Sequence, residues 1–246
     1  MDRIKKTLDK RLKNLQAADF IPFDPISVPH RYQQAEDIEL SGFLTALLSW
    51  GRRDLIIRGA DALLKPMGDH PYEFLLNADA NALKFASQFV YRTMNGRDAL
   101  FLLQSLQALY RRHDSLEVFF RDKEILNGLS DLRNALLEFT HEKRSEKHLA
   151  DVRKKAAAKR LQMFLRWMVR RDEKGIDFGL WKSINPANLI LPLDVHTANS
   201  AREFGLTARK QNDLTTALEI TEILKAFDPV DPVKYDLALF MNDDPV

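Results

Sequence analysis

KRLQMFLRWMVR (residues 159–170) and, further on, LPLDVHTANSAR (residues 191–202) decide the fold of this chain. In the first, Leu161, Phe164, Leu165 and Met168 recur at i, i+3, i+4 and i+7, the spacing of an amphipathic helix whose apolar stripe must be buried. Lys159, Met163, Arg166 and Arg170 fall together on another face. In the second, Pro192 interrupts the chain and Asp194 follows where a helix N-cap belongs. Gly205 is placed to stop that helix as a C-cap. A lysine therefore opens one helix and an aspartate opens another.

Outward from this centre the chain reads as helix and short loop throughout. Toward the C-terminus, residues 172–188 carry Gly175, Gly179, Trp181 and Pro186 and read as an irregular connection, with Trp181 either anchoring it or stacking on a base. Asp213 opens a helix over 213–227. Asp231 and Pro232 stand at the N-cap and N1 positions of a last helix over 233–241, where Asp236 adds another carboxylate.

Toward the N-terminus, residues 141–159 are the most basic window. It holds Lys143, Arg144, Lys147, Arg153, Lys154, Lys155 and Lys159, with His141 and His148. Such a run is either a solvated face or a track for phosphates. Leucine-rich segments at 98–110 and 130–139 and a turn at Asn95-Gly96 precede it. Leu40, Phe43, Leu44, Leu47 and Leu48 form a core helical stripe, at whose end Ser49, Trp50, Arg52 and Arg53 are candidates to face a ligand. The proline-rich stretch 21–29 is expected to run extended, because each proline restricts itself and its predecessor. Residues 1–18 suggest a short surface helix. No segment alternates with period two, so the expected class is all-α.

Composition narrows the function. The 37 basic and 35 acidic side chains nearly balance, so any nucleic-acid site must arise from local clustering. There is no cysteine, which excludes disulfides, zinc–thiolate sites and a cysteine-bound iron–sulfur cluster. No stretch approaches ~20 apolar residues and no signal peptide is visible, so no membrane association is expected and a reducing cytoplasm is the expected compartment. No metal-ligand spacing, nucleophile elbow or phosphate-loop motif is present, and no cofactor or metal is expected.

The lysine helix and the segment Leu193-Asp-Val-His-Thr197 resemble those of the helix-hairpin-helix (HhH-GPD) DNA glycosylases, and most closely the archaeal-type 8-oxoguanine DNA glycosylase/lyases. The same run is similar to an uncharacterised bacterial family of conserved hypothetical proteins. The resemblance is specific over residues 155–206. It implies a two-lobed helical fold: an N-terminal arm over 1–35 packing on the body, a helical lobe over 36–160 ending in the lysine hairpin, and, over 161–246, the lysine helix, the insertion and a C-terminal helical lobe with the aspartate segment.

It implies a monomeric DNA-repair glycosylase/AP lyase acting on damaged double-stranded DNA. Lys159 would attack C1′ of a flipped nucleotide, an oxidised purine for instance, and form a Schiff base. Asp194, held ionised at its N-cap, would stabilise the sugar cation and can accept the amine proton. Arg153, Lys154, Lys155, Arg160, Arg166 and Arg52 would hold the DNA; Ser49, Trp50, His196 and Trp181 would line the site. Two departures are visible. Lys159 and Asp194 stand 35 positions apart (194 − 159), which requires an insertion around 171–190, and residues 153–158 lack the Gly-x-Gly turn of the hairpin. A DNA-binding module without lyase activity and a helical protein-interaction domain are the alternatives.

Overall fold

The computed structural model describes residues 1–241. Its α-helices are α1 (Asp2–Asn14), α2 (Ala17–Phe20), α3 (Ala35–Leu48), α4 (Arg53–Leu64), α5 (Pro71–Asn77) and α6 (Gly96–Tyr110), followed by α7 (Ile125–Leu137), α8 (Lys159–Val169), α9 (Val195–Glu203), α10 (Leu214–Phe227) and α11 (Tyr235–Phe240). Short 3-10 turns join them. The only extended pairings among the described residues are the isolated bridges Tyr91–Met94 and Arg171–Phe178, so the class is all-α. No helix of the described residues is long and apolar enough to cross a membrane.

The chain divides into two compact units: Met1–Phe20 with Asp151–Val246, and Ile21–Ala150. Residues 1–20 lie against the body, where α1 packs on α11 and Leu8 is fully buried. The turn before Lys159 falls within the unit that holds α8.

In the Ile21–Ala150 unit, α3 is the central helix. It is buried from Asp37 to Leu48, all round and not on one stripe. Its two buried acids are satisfied: Glu39 accepts hydrogen bonds from the Tyr110 hydroxyl (3.0 Å), the Ser115 hydroxyl (2.5 Å) and the Leu116 N–H (2.9 Å), and Asp37 accepts the Tyr72 N–H (2.8 Å). The proline-rich stretch is not extended. Pro25 and Pro29 each start a 3-10 turn, where a missing N–H costs nothing and Asp24 caps the Ile26 N–H.

Part of the basic window is structural. Asp98 closes a capping box with Asn95 at the start of α6, and the Arg144 guanidinium (2.6 Å), the Ser145 hydroxyl (2.6 Å) and the His148 ring (3.2 Å) converge on it. Burial pushes the Asp98 carboxyl up, but the bonds from Ser145, the Asn95 N–H and Arg144 outweigh it and hold it below its ordinary range.

In the other unit α8 is the axis. Leu161, Phe164, Leu165, Trp167 and Met168 are at most 3% exposed. The second face, carrying Met163, Arg166 and Arg170, is buried as well. The connection around 171–190, which folds back over the end of the helix, covers it together with Asp231 and Asp236 near the C-terminus. The N–H groups of Phe178 and Trp181 donate to the Trp167 and Met168 carbonyls, both at 2.9 Å. Gly179 has a left-handed backbone (φ 57°), and a Cβ there would sit 2.6 Å from that of Arg171.

Candidate active site

Lys159 is the first residue of α8. The turn before it does without glycine, yet its backbone is left-handed at two places, Lys155 (φ 60°) and Ala158 (φ 50°). Each costs a residue with a Cβ roughly 1–2 kcal/mol. A tertiary contact holds the first, the Lys155 carbonyl accepting the N–H of Leu214, the first residue of α10, at 3.0 Å; at the second, the Ala158 carbonyl accepts the N–H groups of Leu161 and Gln162, the first bonds of α8. The bend aims α8 so that its first residue meets the start of α9.

There Asp194 is the N-cap expected from the sequence, its Oδ1 accepting the Thr197 N–H at 2.9 Å. Gly205 is left-handed (φ 68°) just past α9, as a C-cap requires. The other carboxylate oxygen, Oδ2, lies 3.7 Å from Lys159 Nζ. Both side chains are about a quarter exposed, 27% and 25%. An amine and a carboxylate 35 positions apart in sequence (194 − 159) thus meet at a half-open surface.

Behind this pair runs a chain of buried charge. Arg166, two turns along α8, donates from Nη1 to Asp236 of α11 at 2.5 Å and from Nε to Asp177 at 3.2 Å. Arg170 donates to Asp177 at 2.5 Å and to Asp231 at 2.9 Å. Burial draws the Arg170 guanidinium down, but Asp177 and Asp231 more than restore it, so it stays a cation. Burial pushes the Asp236 carboxyl up, and of the charges around it Arg166 pulls it back, Asp194 pushes it further up and Lys159 opposes; it settles at about 6.

Several candidates therefore change place. Arg166 is 4% exposed with its guanidinium spent on two aspartates, so it is an internal tie and not a phosphate contact. Trp181 is 3% exposed and edge-on to Phe164 at 5.3 Å, the anchor of the connection and not a platform for a base. Asp231 does not cap the last turn with its side chain but pairs with Arg170. Of the hairpin cations, Lys154 and Lys155 are exposed and Arg153 is engaged with Asp151 at 2.9 Å; Arg160 is partly exposed. His196 is exposed beside Asp194, its ring edge-on to Phe240 at 6.4 Å.

Ser49, Trp50 and Arg52 belong to the other unit. Ser49 is buried and bonded to the Thr45 carbonyl at 2.8 Å, while Arg52 is exposed and paired with Asp54 at 3.0 Å. Half-buried Trp50 carries the Arg92 guanidinium 4.4 Å from its ring centroid. Arg92, left-handed itself, has no sequence signal beyond its nearness to the Asn95-Gly96 turn. No group of histidines and acidic residues among those described is arranged to hold a metal ion.

Comparison with known families defines a class before any activity. The family described as "Protein of unknown function (DUF2400)" matches residues 24–243. That is most of the chain, Lys159, Asp194 and Asp236 included, and the protein belongs to this family. No curated protein and no solved structure matches the chain.

Proposed function

We propose that the protein is a monomeric DNA-repair glycosylase/AP lyase on a helix-hairpin-helix glycosylase-like fold, removing a damaged base such as an oxidised purine. The observation that carries the reading is the meeting of Lys159 Nζ and Asp194 Oδ2 at 3.7 Å across a half-open surface. Unlike the buried Arg166–Asp236 pair at 2.5 Å, Lys159 and Asp194 are each about a quarter exposed, so a substrate can reach the amine. The left-handed hairpin at Lys155 and Ala158 supports it too, since it supplies in other residues the bend that glycines would give.

In this reading the neutral Lys159 amine attacks C1′ of an extruded nucleotide, the N–C bond forms as the base leaves, and the ring-opened sugar becomes a Schiff base. Asp194 faces the positive charge that develops on the sugar. Lys154 and Lys155, exposed next to the hairpin, take the phosphate backbone.

The test is borohydride reduction on lesion-containing and abasic duplexes, with peptide mapping of the cross-link. A specific Lys159 adduct, lost in Lys159→Gln while duplex binding remains, is expected. Lys154→Gln and Lys155→Gln serve as controls for non-specific amines, and a cross-link that persists undiminished in Lys159→Gln defeats the assignment.

A further inference from the structure

The loop between α9 and α10 is built around one guanidinium. Arg202 donates from Nε to the Arg209 carbonyl at 2.7 Å and from Nη1 to the Asn199 amide oxygen at 3.1 Å. Its Nη2 donates to the Lys210 carbonyl at 3.0 Å and to the Asn212 amide oxygen. The Thr216 hydroxyl donates to the Gln211 carbonyl at 2.7 Å, and Arg209 donates to Thr216 at 2.8 Å and to Asp213 at 3.0 Å. These bonds pin the loop to the first turn of α10 and leave Lys210, Gln211 and Asn212 exposed.

That same turn of α10 touches the turn before α8, where the Leu214 N–H donates to the Lys155 carbonyl at 3.0 Å. Lys210 stands four residues before Leu214, so its backbone is within roughly 14 Å of that contact. This is on the order of four nucleotides of one strand, at about 3.4 Å each along a duplex. Residues 151–160 hold five cations and one acid and residues 202–213 three cations and two acids, a net of +5 against +2 for the whole chain. Asp151 and Asp213 are already engaged by Arg153 and Arg209 of their own segments, and Glu203 is exposed on α9. Lys154, Lys155 and Lys210 are exposed, and neither they nor Arg202 have a carboxylate partner among the described residues. Cations gathered without acids repel one another, and a polyanion relieves that repulsion.

We propose that the α9–α10 loop is a second clamp on the DNA backbone: Lys210, held out by Arg202, takes a phosphate a few nucleotides along from those held by Lys154 and Lys155. This rests on the DNA-binding part of the glycosylase reading and not on its lyase chemistry. The Arg202 bonds order the loop before DNA arrives, so little entropy is lost on binding. The partner is duplex DNA and not a lipid surface, because none of the exposed large apolar side chains lies in either segment to enter a bilayer. Arg202 spends its guanidinium on the loop and is a positioning residue.

The test is the salt dependence of undamaged-duplex binding by the intact protein, run beside borohydride trapping. Lys210→Ala is expected to lower the log–log slope by about 0.9, so that its deficit in affinity shrinks about 3.5-fold between 50 and 200 mM salt. Lys210→Arg is expected to keep the wild-type slope. Lys225→Ala, roughly 16 Å away toward the other end of α10, changes the net charge equally and is expected to leave the slope unchanged. Arg202→Lys keeps the charge but not the fork of donors. It is expected to lower the slope as much as Lys210→Ala, and Lys210→Ala added to it should change nothing more.

A Lys210→Ala slope equal to the wild type overturns the proposal, as does a Lys225→Ala loss of the same size or an Arg202→Lys protein with the wild-type slope. If Arg202→Lys does not fold by circular dichroism, the Lys210 and Lys225 variants, both at the surface, decide alone. Wild-type protein that binds no duplex at 50 mM salt overturns the clamp and the DNA reading together, and Lys210-dependent binding to phosphatidylglycerol vesicles in its place assigns the loop to a membrane. Protein that binds duplex with the expected slopes but traps nothing overturns the lyase chemistry and leaves the clamp standing.

Discussion

Arg166→Met should cost this protein roughly 3–5 kcal/mol at pH 7.5, the penalty for removing one partner of a buried ion pair. Arg166 and Asp236 are 4% and 6% exposed and bonded at 2.5 Å, so the partner left behind cannot be rehydrated in place. Asp177 retains Arg170 at 2.5 Å, and the cost therefore falls on Asp236.

The sign with pH follows. The Asp236 carboxyl, raised from 3.8 to about 6, contributes stability that is fully present below 3.8 and lost as the pH rises through about 6. Without Arg166 the carboxyl rises further. The variant then takes up a proton that the wild type has released, and its deficit grows with pH above about 6 by up to about 1.4 kcal/mol per unit until it too has ionised.

Urea unfolding at pH 5.0 and 7.5 measures both, in a Trp50→Phe background where the fluorescence comes from the buried Trp167 and Trp181 of this unit. Asp236→Asn added to Arg166→Met should recover ~2 kcal/mol at pH 7.5, because no buried anion remains. A deficit under ~1 kcal/mol, or one equal at the two pH values, refutes the assignment of Arg166 as an internal tie.

Three further outcomes are expected. Asp194→Asn, which keeps an N-cap but removes the charge, should leave stability within ~0.5 kcal/mol and cut borohydride trapping by orders of magnitude, whereas Asp194→Ala should also lose ~1 kcal/mol in urea unfolding; trapping by Asp194→Asn at the wild-type rate would count against a catalytic aspartate. Reversing Arg153, Lys154 and Lys155 to glutamate should lower the log–log salt slope of duplex binding by roughly one unit for each phosphate that is no longer held, with the far-ultraviolet circular dichroism intact. As Arg153 is engaged by Asp151, a fall of about two units is expected, and no fall removes the hairpin from a DNA face. Ala158→Gly relieves a left-handed Cβ and should raise stability by up to ~1 kcal/mol, about 2–4 °C in melting temperature; a loss would mean that the Ala158 methyl, 5% exposed, contributes more by packing than the strain costs.

What could be read from sequence was what local chemistry decides. Asp194 before Val195, and Gly205 after α9, mark their helix ends because the bonds they make are to residues only a few positions away. The apolar stripe of α8 was legible for the same reason. Its other face was not. Arg166 and Arg170 look like a cationic surface when only the helix is known, and the carboxylates that bury them lie 11, 70, 7 and 61 positions away. Long-range pairing of this kind leaves no period in the sequence. Two members of the basic window were hidden for the same reason: Arg144 and His148 converge on Asp98, 46 and 50 positions upstream.

The turn before α8 is left-handed without a glycine to announce it. Glycine is the cheapest residue for a left-handed turn, but the turn itself is what positions Lys159. Lys155 and Ala158 adopt that conformation at roughly 1–2 kcal/mol each, a sum that one anchoring hydrogen bond, at about 1 kcal/mol, does not offset. The remainder must come from burial: Val152 and Ala158 are 5% exposed, and Leu161 and Leu214, which hydrogen-bond into the turn, are 3% and 7%. The strained backbone sits directly before the lysine that meets Asp194 at a half-open surface, and strain held by surrounding structure is concentrated at functional sites. If the bend served only to end one turn and start a helix, glycine at 155 or 158 would do so at lower cost and nothing else would change. A Lys155→Gly, Ala158→Gly protein that is more stable but traps DNA as the wild type does would therefore separate the shape of the turn from the identity of its residues, and one that loses trapping would assign the Lys155 side chain to the DNA.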